Sequence, residues 1–307
     1  MGIRDDTERL NLSLDSLVGG RSVWFVPDVR LIPGLVWVVF VLGGSILTMV
    51  LYSFMVDPLS GDFTITFEFY REFFSKALYR TVMIDSLVIA LKTTLGTLLV
   101  GYPLAYYIAV HSDHRNLLLL VVIAPIWINE VIRTFAWMLI LNTNGVINYV
   151  LVDLLGVLDD PLRLMNTETA VVIGLVHPLL PYMIVPIIAS LLRIDFSEIE
   201  AARNLGATKL QAFYEVTLPQ TVSGIAAGAT FVFVLSSGAY LAPVLLGGSG
   251  NNMIANFIGL MFSEGQNWNF GAVLAVIYSA VIVVLFVAVG LVGDLELGGA
   301  TDLEGDQ

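Results

Sequence analysis

The sequence predicts an all-α polytopic membrane protein with six transmembrane helices and one long polar loop between spans four and five. Hydrophobic residues make up 57% of the 307-residue chain and charged residues only 13%, whereas soluble domains carry about 25% charged residues. The mean hydropathy is +0.85, and apolar runs of roughly the ~20 residues that cross a bilayer recur along the chain. This composition excludes a soluble globular protein.

The chain begins with a polar segment, residues 1–30, which carries four arginines and is predicted to be a cytoplasmic N-terminal segment. The apolar run of residues 31–56 contains no charged residue. It is longer than the core of a cleaved signal peptide and has no small-residue cleavage site near its end. We therefore predict that it is an uncleaved first span.

Five further apolar segments follow, so that residues 31–292 form a six-span domain. Residues 293–307 carry five acidic residues and no basic residue, which is typical of a disordered tail, and we predict that this tail is cytoplasmic. The five further spans are predicted at residues 84–110, 116–141, 169–192, 225–246 and 271–292.

The distribution of Lys and Arg predicts a cytoplasmic N-terminus, because cytoplasmic loops of membrane proteins are enriched in these residues. In this orientation the inner segments carry eight Lys and Arg and the outer segments four. The protein is then a multi-pass protein of the cell membrane, with the polar loop of residues 193–224 in the cytoplasm. The net charge of −12 is typical of a high-salt proteome, where salt screens repulsion between acidic groups.

No pattern in the chain supports catalysis. The sequence contains no Cys, and it lacks the nucleotide-binding pattern G-x-x-x-x-G-K-[ST] and the H-E-x-x-H and G-x-S-x-G patterns of hydrolases. We predict no catalytic residue, no metal site, no cofactor and no nucleic-acid partner, with the lipid bilayer around the spans. An intramembrane enzyme and a structural membrane protein are the alternative classes.

The polar loop predicts two short helices joined by a sharp turn. Ser197 and Glu200 have the S-x-x-E spacing of a capping box, and Thr208 and Gln211 have the related T-x-x-Q spacing. Gly206 suits the left-handed position that ends the first helix.

In the second of these helices, Leu210, Phe213 and Tyr214 recur at the spacing of one helix face. Pro219 either ends that helix or begins the next segment.

The loop resembles the EAA loop of ABC-importer permeases, the cytoplasmic element that docks onto the ATPase. The shared pattern is E-A-A, three residues, G, nine residues and V-x-L-P, starting at Glu200. The resemblance implies that the loop couples the chain to an ATPase subunit, which hydrolyses ATP in its place. The implied coupling residues are Glu200, Ala201, Ala202, Gly206, Leu210, Phe213, Leu218 and Pro219.

Other motifs resemble the spermidine/putrescine branch of the binding-protein-dependent permeases. They are P-x-W-x-N-x-x-I-R-T-x-x-W from Pro125, A-P-x-L-L-G-G from Ala242 and M-I-A-N from Met253. The resemblance implies a permease subunit that forms half of a polyamine path. Its partners would be ATP-binding cassette subunits, a second and different permease subunit, and an external solute-binding protein. Thiamine, iron(III) or a phosphonate are the alternative substrates.

Span three carries the candidate pathway residues, because charged groups inside a span usually face protein or water. Glu130 and Arg133 are three residues apart, so they can pair on one helix face. Either Glu130 attracts or gates a cation, or the pair neutralises itself and holds span three against its neighbours. The candidates are Trp127, Asn129, Glu130, Arg133 and Trp137.

Two further features concern spans two and four. Pro178, Pro181 and Pro186 are expected to bend or interrupt span four, and bent helices in transporters often line the substrate path. Lys92 in span two is expected to extend its amine towards the outer interface.

Overall fold

A computed structural model describes residues 32–57, 61–264 and 267–301. Within them, six helices are long and apolar enough to cross a membrane, which confirms the predicted number of spans. The chain divides into two compact units, Met1–Met49 and Val50–Gln307. The candidate spans are Pro33–Phe54, Ala77–His111, Glu130–Leu154, Glu168–Leu191, Lys209–Ser237 and Trp268–Ala288.

The described part of the first unit is an apolar helix. Helix α1 (Ile32–Val38) continues through a π-helical segment (Val39–Gly43) into α2 (Gly44–Phe54), whose last residues belong to the second unit. The predicted cytoplasmic segment, residues 1–30, lies outside the described residues.

A hairpin and a short amphipathic helix follow the first span. Strand β1 (Met55–Asp57) pairs antiparallel with β2 (Asp62–Ile65). Helix α3 (Glu68–Ser75) buries Phe73, because its aromatic residues recur at helical spacing on the face that packs inward.

The rest of the second unit is helical in its described residues. Short π-helical segments extend α4, α7 and α10, and a 3₁₀ turn extends α5. The last helix continues as far as Thr301, so the tail for which we predicted disorder is helical up to that residue, and residues 302–307 lie outside the described part. The helices are α4 (Ala77–Tyr106), α5 (Arg115–Ile123), α6 (Glu130–Leu141), α7 (Val146–Asn148), α8 (Glu168–Leu191), α9 (Phe196–Asn204), α10 (Lys209–Ala212), α11 (Leu218–Ser237), α12 (Leu241–Leu246), α13 (Ile254–Ser263) and α14 (Trp268–Thr301).

The core lies where α4, α8 and α11 pack against one another. Met183, Ile184 and Ile187 of α8 are fully buried there. Small residues let the backbones approach closely, since a Cβ added at Gly228 of α11 would meet the Met183 sulfur at 2.9 Å. Close packing of this kind holds membrane helices together, because lipid tails are as apolar as the side chains they replace.

The prediction of one continuous third span over residues 116–141 is wrong. Helix α5 ends in a 3₁₀ turn, Ala124–Trp127, and a new helix begins at Glu130. Pro125 lacks an amide hydrogen and favours such an interruption, and the Asn129 side chain caps the new helix by accepting the Val131 amide at 2.8 Å. The candidate span is Glu130–Leu154, interrupted by a turn after Leu141.

The predicted limits of span five, residues 225–246, are also wrong. The helix begins at Lys209 in the polar loop and runs to Ser237, so Pro219 does not end it. Pro219 stands in the first turn of α11, where a missing amide hydrogen is tolerated. The helix ends before Gly238, and the separate helix α12 follows.

Spans two and four are joined by an ion pair. Lys92, at the middle of α4, pairs with Glu168, the first residue of α8. In the predicted orientation Glu168 is at the outer end of span four, so the pair is in line with the predicted direction of the Lys92 side chain. Helix α8 is continuous through its three prolines, which excludes the interruption that we considered, although each proline leaves one carbonyl oxygen without its helical donor.

We expect Gly228→Leu to destabilise the protein, because its side chain would have to displace Met183 from the interface between α8 and α11. Overpacking of this kind costs about 1–3 kcal/mol, measurable as a lower midpoint of thermal unfolding in detergent. The matched control is Gly34→Leu, where an added Cβ meets no atom within 4 Å. An unchanged midpoint for Gly228→Leu would contradict the packing described.

Candidate functional site

The first helix of the polar loop, α9, is capped by a residue that the sequence analysis missed. The Asp195 carboxylate accepts the Ser197 amide at 2.9 Å, and this backbone bond holds the pKa of Asp195 below its ordinary value. The predicted Ser197–Glu200 capping box is therefore wrong. Ser197 already lies inside the first turn, because Asp195 takes the capping position two residues earlier.

The turn after α9 has the predicted glycine geometry. Gly206 has φ of 99°, a value that side chains rarely adopt. The Gly206 amide donates to the Arg203 carbonyl and the Ala207 amide to the Ala202 carbonyl, which is the Schellman pattern that ends many helices.

The predicted Thr208–Gln211 capping box then begins α10. The Gln211 amide donates to the Thr208 hydroxyl at 3.2 Å, and the Thr208 amide donates to the Gln211 side chain at 2.8 Å.

The apolar side chains of α10 and its extension do not share one face as predicted. Phe213 packs edge-on against Tyr102 and Tyr106 of α4, with ring centroids 5.9 and 5.6 Å apart. Leu210 and Tyr214 remain 66% and 57% exposed, and the π-helical segment Phe213–Thr217 begins between them.

Two hydrogen bonds tie the loop to the spans. The Gln220 side chain at the start of α11 donates to the Glu198 carboxylate of α9 at 2.6 Å. The hydroxyls of Tyr102 on α4 and Thr221 on α11 lie 3.1 Å apart. Of the other predicted coupling residues, Glu200, Ala201 and Pro219 are exposed, whereas Ala202 and Leu218 are half-buried.

A cavity of about 400 Å³ lies where two helices are broken. One break separates α5 from α6, and the other separates α11 from α12. Span four supplies the opposite wall. Broken helices next to a cavity are typical of substrate sites in transporters. The lining residues are Ile126, Glu130, Arg133, Leu175, Pro178, Leu179, Tyr182, Leu235, Gly238, Ala239, Tyr240 and Leu241.

Of the two alternatives for Glu130 and Arg133, the self-neutralising pair is absent from the described residues. Arg133 donates instead to the Pro125 carbonyl at 2.8 Å, which also accepts the Ile128 amide at 3.2 Å. A carbonyl oxygen has two lone pairs, so it can accept both donors. The Glu130 carboxylate makes no ion pair within the described residues.

The break in span five is held by side chains from later in the chain. The Tyr278 hydroxyl donates to the Ser237 carbonyl at 3.0 Å, and the Asn256 amide donates to the Tyr240 carbonyl at 2.7 Å. These bonds satisfy backbone groups that the interrupted helix leaves free. The sequence analysis quoted Asn256 as part of a motif and missed Tyr278, a polar aromatic residue in an apolar span.

The cavity contains two of the five predicted pathway residues, Glu130 and Arg133. Trp127 is 74% exposed and Asn129 serves as a helix cap, while Trp137 packs edge-on against His177. The sequence analysis did not find Tyr182 and Tyr240. Tyr182 lies four residues after Pro178, on the same helix face, and this spacing is the signal that could have identified it.

No cluster of three or more His, Asp or Glu side chains suited to a metal ion occurs within the described residues. The candidate site has two parts. One is the cavity, which is lined by Glu130, Arg133, Tyr182 and Tyr240 among others. The other is the exposed polar loop, which the helix of span five joins to the cavity.

Comparisons with known proteins identify the family of the chain. A family model described as binding-protein-dependent transport system inner membrane component matches residues 24–295. The spermidine/putrescine transport system permease protein PotB of Haemophilus influenzae is 37% identical over 243 residues, covering 78% of this chain and 84% of that protein. Its counterpart of the same name in Escherichia coli K12 is 40% identical over 206 residues, covering 67% and 74%.

The fold also resembles a solved structure. A chain of the bacterial alginate ABC transporter, solved in complex with alginate pentasaccharide-bound periplasmic protein, has a TM-score of 0.67 at 17% identity. The likeness covers 94% of this chain and 96% of that one.

The cap of α9 predicts a pH dependence. The pKa of Asp195 in the folded protein lies below its ordinary value. The cap therefore stabilises α9 fully at a pH above the ordinary pKa, and this stabilisation is lost as the pH falls through the lowered pKa. We expect Asp195→Ala to increase hydrogen exchange over residues 196–199 at neutral pH. Asp195→Asn, which keeps the acceptor without the charge, should retain protection and lose its pH dependence. Equal exchange in wild type and Asp195→Ala would contradict the cap.

Proposed function

This chain belongs to the family of binding-protein-dependent transport system inner membrane components, and from this premise we propose that it is the permease subunit of an ATP-driven importer of polyamines such as spermidine and putrescine. The observation that carries the choice of substrate is the cavity between the two broken helices. The named relatives, which are spermidine/putrescine permeases, support the same choice.

The chemistry of the cavity suits a flexible polycation. Glu130 supplies a carboxylate, and Tyr182 and Tyr240 supply aromatic faces and hydroxyl oxygens. Ammonium groups are attracted to both kinds of group. The leucines between them provide apolar walls for the methylene chain of a polyamine.

The alternative substrates fit this cavity less well. A phosphonate is an anion, and the Glu130 carboxylate in the same cavity would repel it. Iron(III) needs several oxygen anions, and the cavity has the single carboxylate of Glu130 among its lining residues. Thiamine, an aromatic cation, is the strongest competitor.

The polar loop supports a role in coupling. Leu205, Leu210 and Tyr214 are 91%, 66% and 57% exposed, and apolar side chains that project from a polar loop favour a protein partner. An ATPase subunit would cover them, with the small Ala201 and Ala202 permitting close approach. The positive-inside distribution of Lys and Arg supports a cytoplasmic position for this loop, where ATP is available.

The helix of span five can carry motion from the loop to the cavity. It runs without interruption from Lys209 to Ser237, which is 29 residues, or about 43 Å at 1.5 Å per residue. Its last turn includes Leu235, which lines the cavity. A displacement of the loop by the ATPase would therefore tilt one wall of the cavity, as alternating access requires.

The open cavity and the exposed loop both favour contact with partner proteins. A second permease subunit would close the open side of the cavity, and we propose a different chain for this role. An external solute-binding protein would deliver the substrate from outside, and a pair of ATP-binding cassette subunits would drive transport.

The turn at Gly206 tests the coupling role. An added Cβ at Gly206 meets no atom within 4 Å, so a substitution there strains the backbone without a clash. We expect Gly206→Val to insert normally but to reduce substrate-stimulated ATP hydrolysis by the whole complex to its basal rate. Gly206→Asn should remain coupled, because Asn tolerates positive φ. Normal uptake by Gly206→Val would contradict the coupling role.

Uptake of labelled spermidine by vesicles that contain the whole complex, its binding protein and ATP tests the substrate. We expect saturable uptake that excess unlabelled putrescine inhibits and that thiamine, ferric ion or a phosphonate does not. Uptake inhibited by thiamine or iron, and insensitive to polyamines, would reject the substrate while leaving the permease assignment in place.

A further inference from the structure

Glu130 is the first residue of the third candidate span, and it has no partner of opposite charge in the described part of the chain. The ion pairs found there join Lys76 to Glu72 and Lys92 to Glu168. A carboxylate inside a span is costly unless it faces water or a cation. Since Glu130 lines the cavity, the cavity is where a cation can reach it.

Arg133 does not neutralise Glu130 by direct contact. Its guanidinium is held on the Pro125 carbonyl at 2.8 Å, on the other side of the break between α5 and α6. Its charge still faces the same cavity, so it disfavours a second ammonium group close to Glu130. A bound polycation must therefore place its next charge away from α6.

The opposite walls offer a place for that second charge. Tyr182 of α8 and Tyr240, before α12, line the cavity and remain partly exposed, at 36% and 50%. Aromatic faces attract ammonium groups. Leu175, Leu179 and Leu235 lie along the same walls and suit a methylene chain. The volume of about 400 Å³ is within the roughly 300–1,000 Å³ of small-molecule sites.

We propose that Glu130 binds one terminal ammonium group of a linear polyamine within the cavity, while Tyr182 and Tyr240 hold the next ammonium group. This subsite rests on the proposed function and extends it, because it assigns substrate contact to a residue of the permease. Glu130 then selects for cations during translocation, independently of the external binding protein.

The test uses the purified whole complex without the binding protein and measures equilibrium binding of labelled putrescine. We expect Glu130→Gln to weaken binding by about tenfold to a hundredfold, the order that follows from losing one charge-assisted hydrogen bond. The affinity of Glu130→Asp for putrescine should lie between those of wild type and Glu130→Gln. Glu68→Gln is the matched control, because Glu68 is also the first residue of a helix but does not line the cavity.

Two further measurements separate substrate contact from a structural role. The midpoint of thermal unfolding should be unchanged in Glu130→Gln. Competition by butylamine should depend on Glu130, whereas the diol with the same carbon chain should not compete in either protein. A lowered midpoint with unchanged putrescine binding would show a structural role and overturn the subsite.

The outcomes distinguish the two proposals. If wild type transports no polyamine, the proposed function fails and the subsite fails with it. If wild type transports polyamines and Glu130→Gln binds putrescine and transports it as wild type does, only the subsite is overturned.

Discussion

The arrangement of the cavity depends on one constraint, which is that every backbone polar group at membrane depth needs a hydrogen-bond partner. Two helices are interrupted beside the cavity, and side chains take the place of the missing helical bonds. Arg133 and Asn129 form hydrogen bonds with backbone groups at the break between α5 and α6. Tyr278 and Asn256 do the same at the break after α11. Because Arg133 bonds to the Pro125 carbonyl and not to Glu130, the Glu130 carboxylate remains available to a cation in the cavity.

The same constraint explains why the proposed coupling path is a helix. Span five runs without a break from the polar loop to the cavity, so its backbone is satisfied along its length and it can move as one body. Near the loop, Phe213 of span five packs against Tyr102 of span two. At the middle of span five, Gly228 allows close packing against Met183 of span four. Motion at the loop would therefore reach the cavity through packed helices rather than through a flexible linker.

The sequence predicted the local features and missed those that depend on distant partners. The number of spans, the positive φ of Gly206 and the Thr208 capping box follow from hydropathy and short-range spacing, and all three are present. The alternative in which Glu130 pairs with Arg133 relied on their spacing alone, and it failed because Arg133 donates to the Pro125 carbonyl in the 3₁₀ turn instead. Tyr240 and Tyr278 meet their neighbours only after folding, so no spacing in the chain could reveal their roles.

The central claim is that the cavity between the broken helices is a water-filled polyamine path, and cysteine labelling tests it most directly. The chain contains no native Cys, so a single introduced cysteine reports on one position. In the whole complex, a water-soluble maleimide should label Ile126→Cys, which lines the cavity and is 41% exposed, and putrescine should slow that labelling. Leu99→Cys, on an exposed apolar face of α4 that does not line the cavity, should remain unlabelled. Failure to label Ile126→Cys, or labelling at the same rate with and without putrescine, would contradict the account.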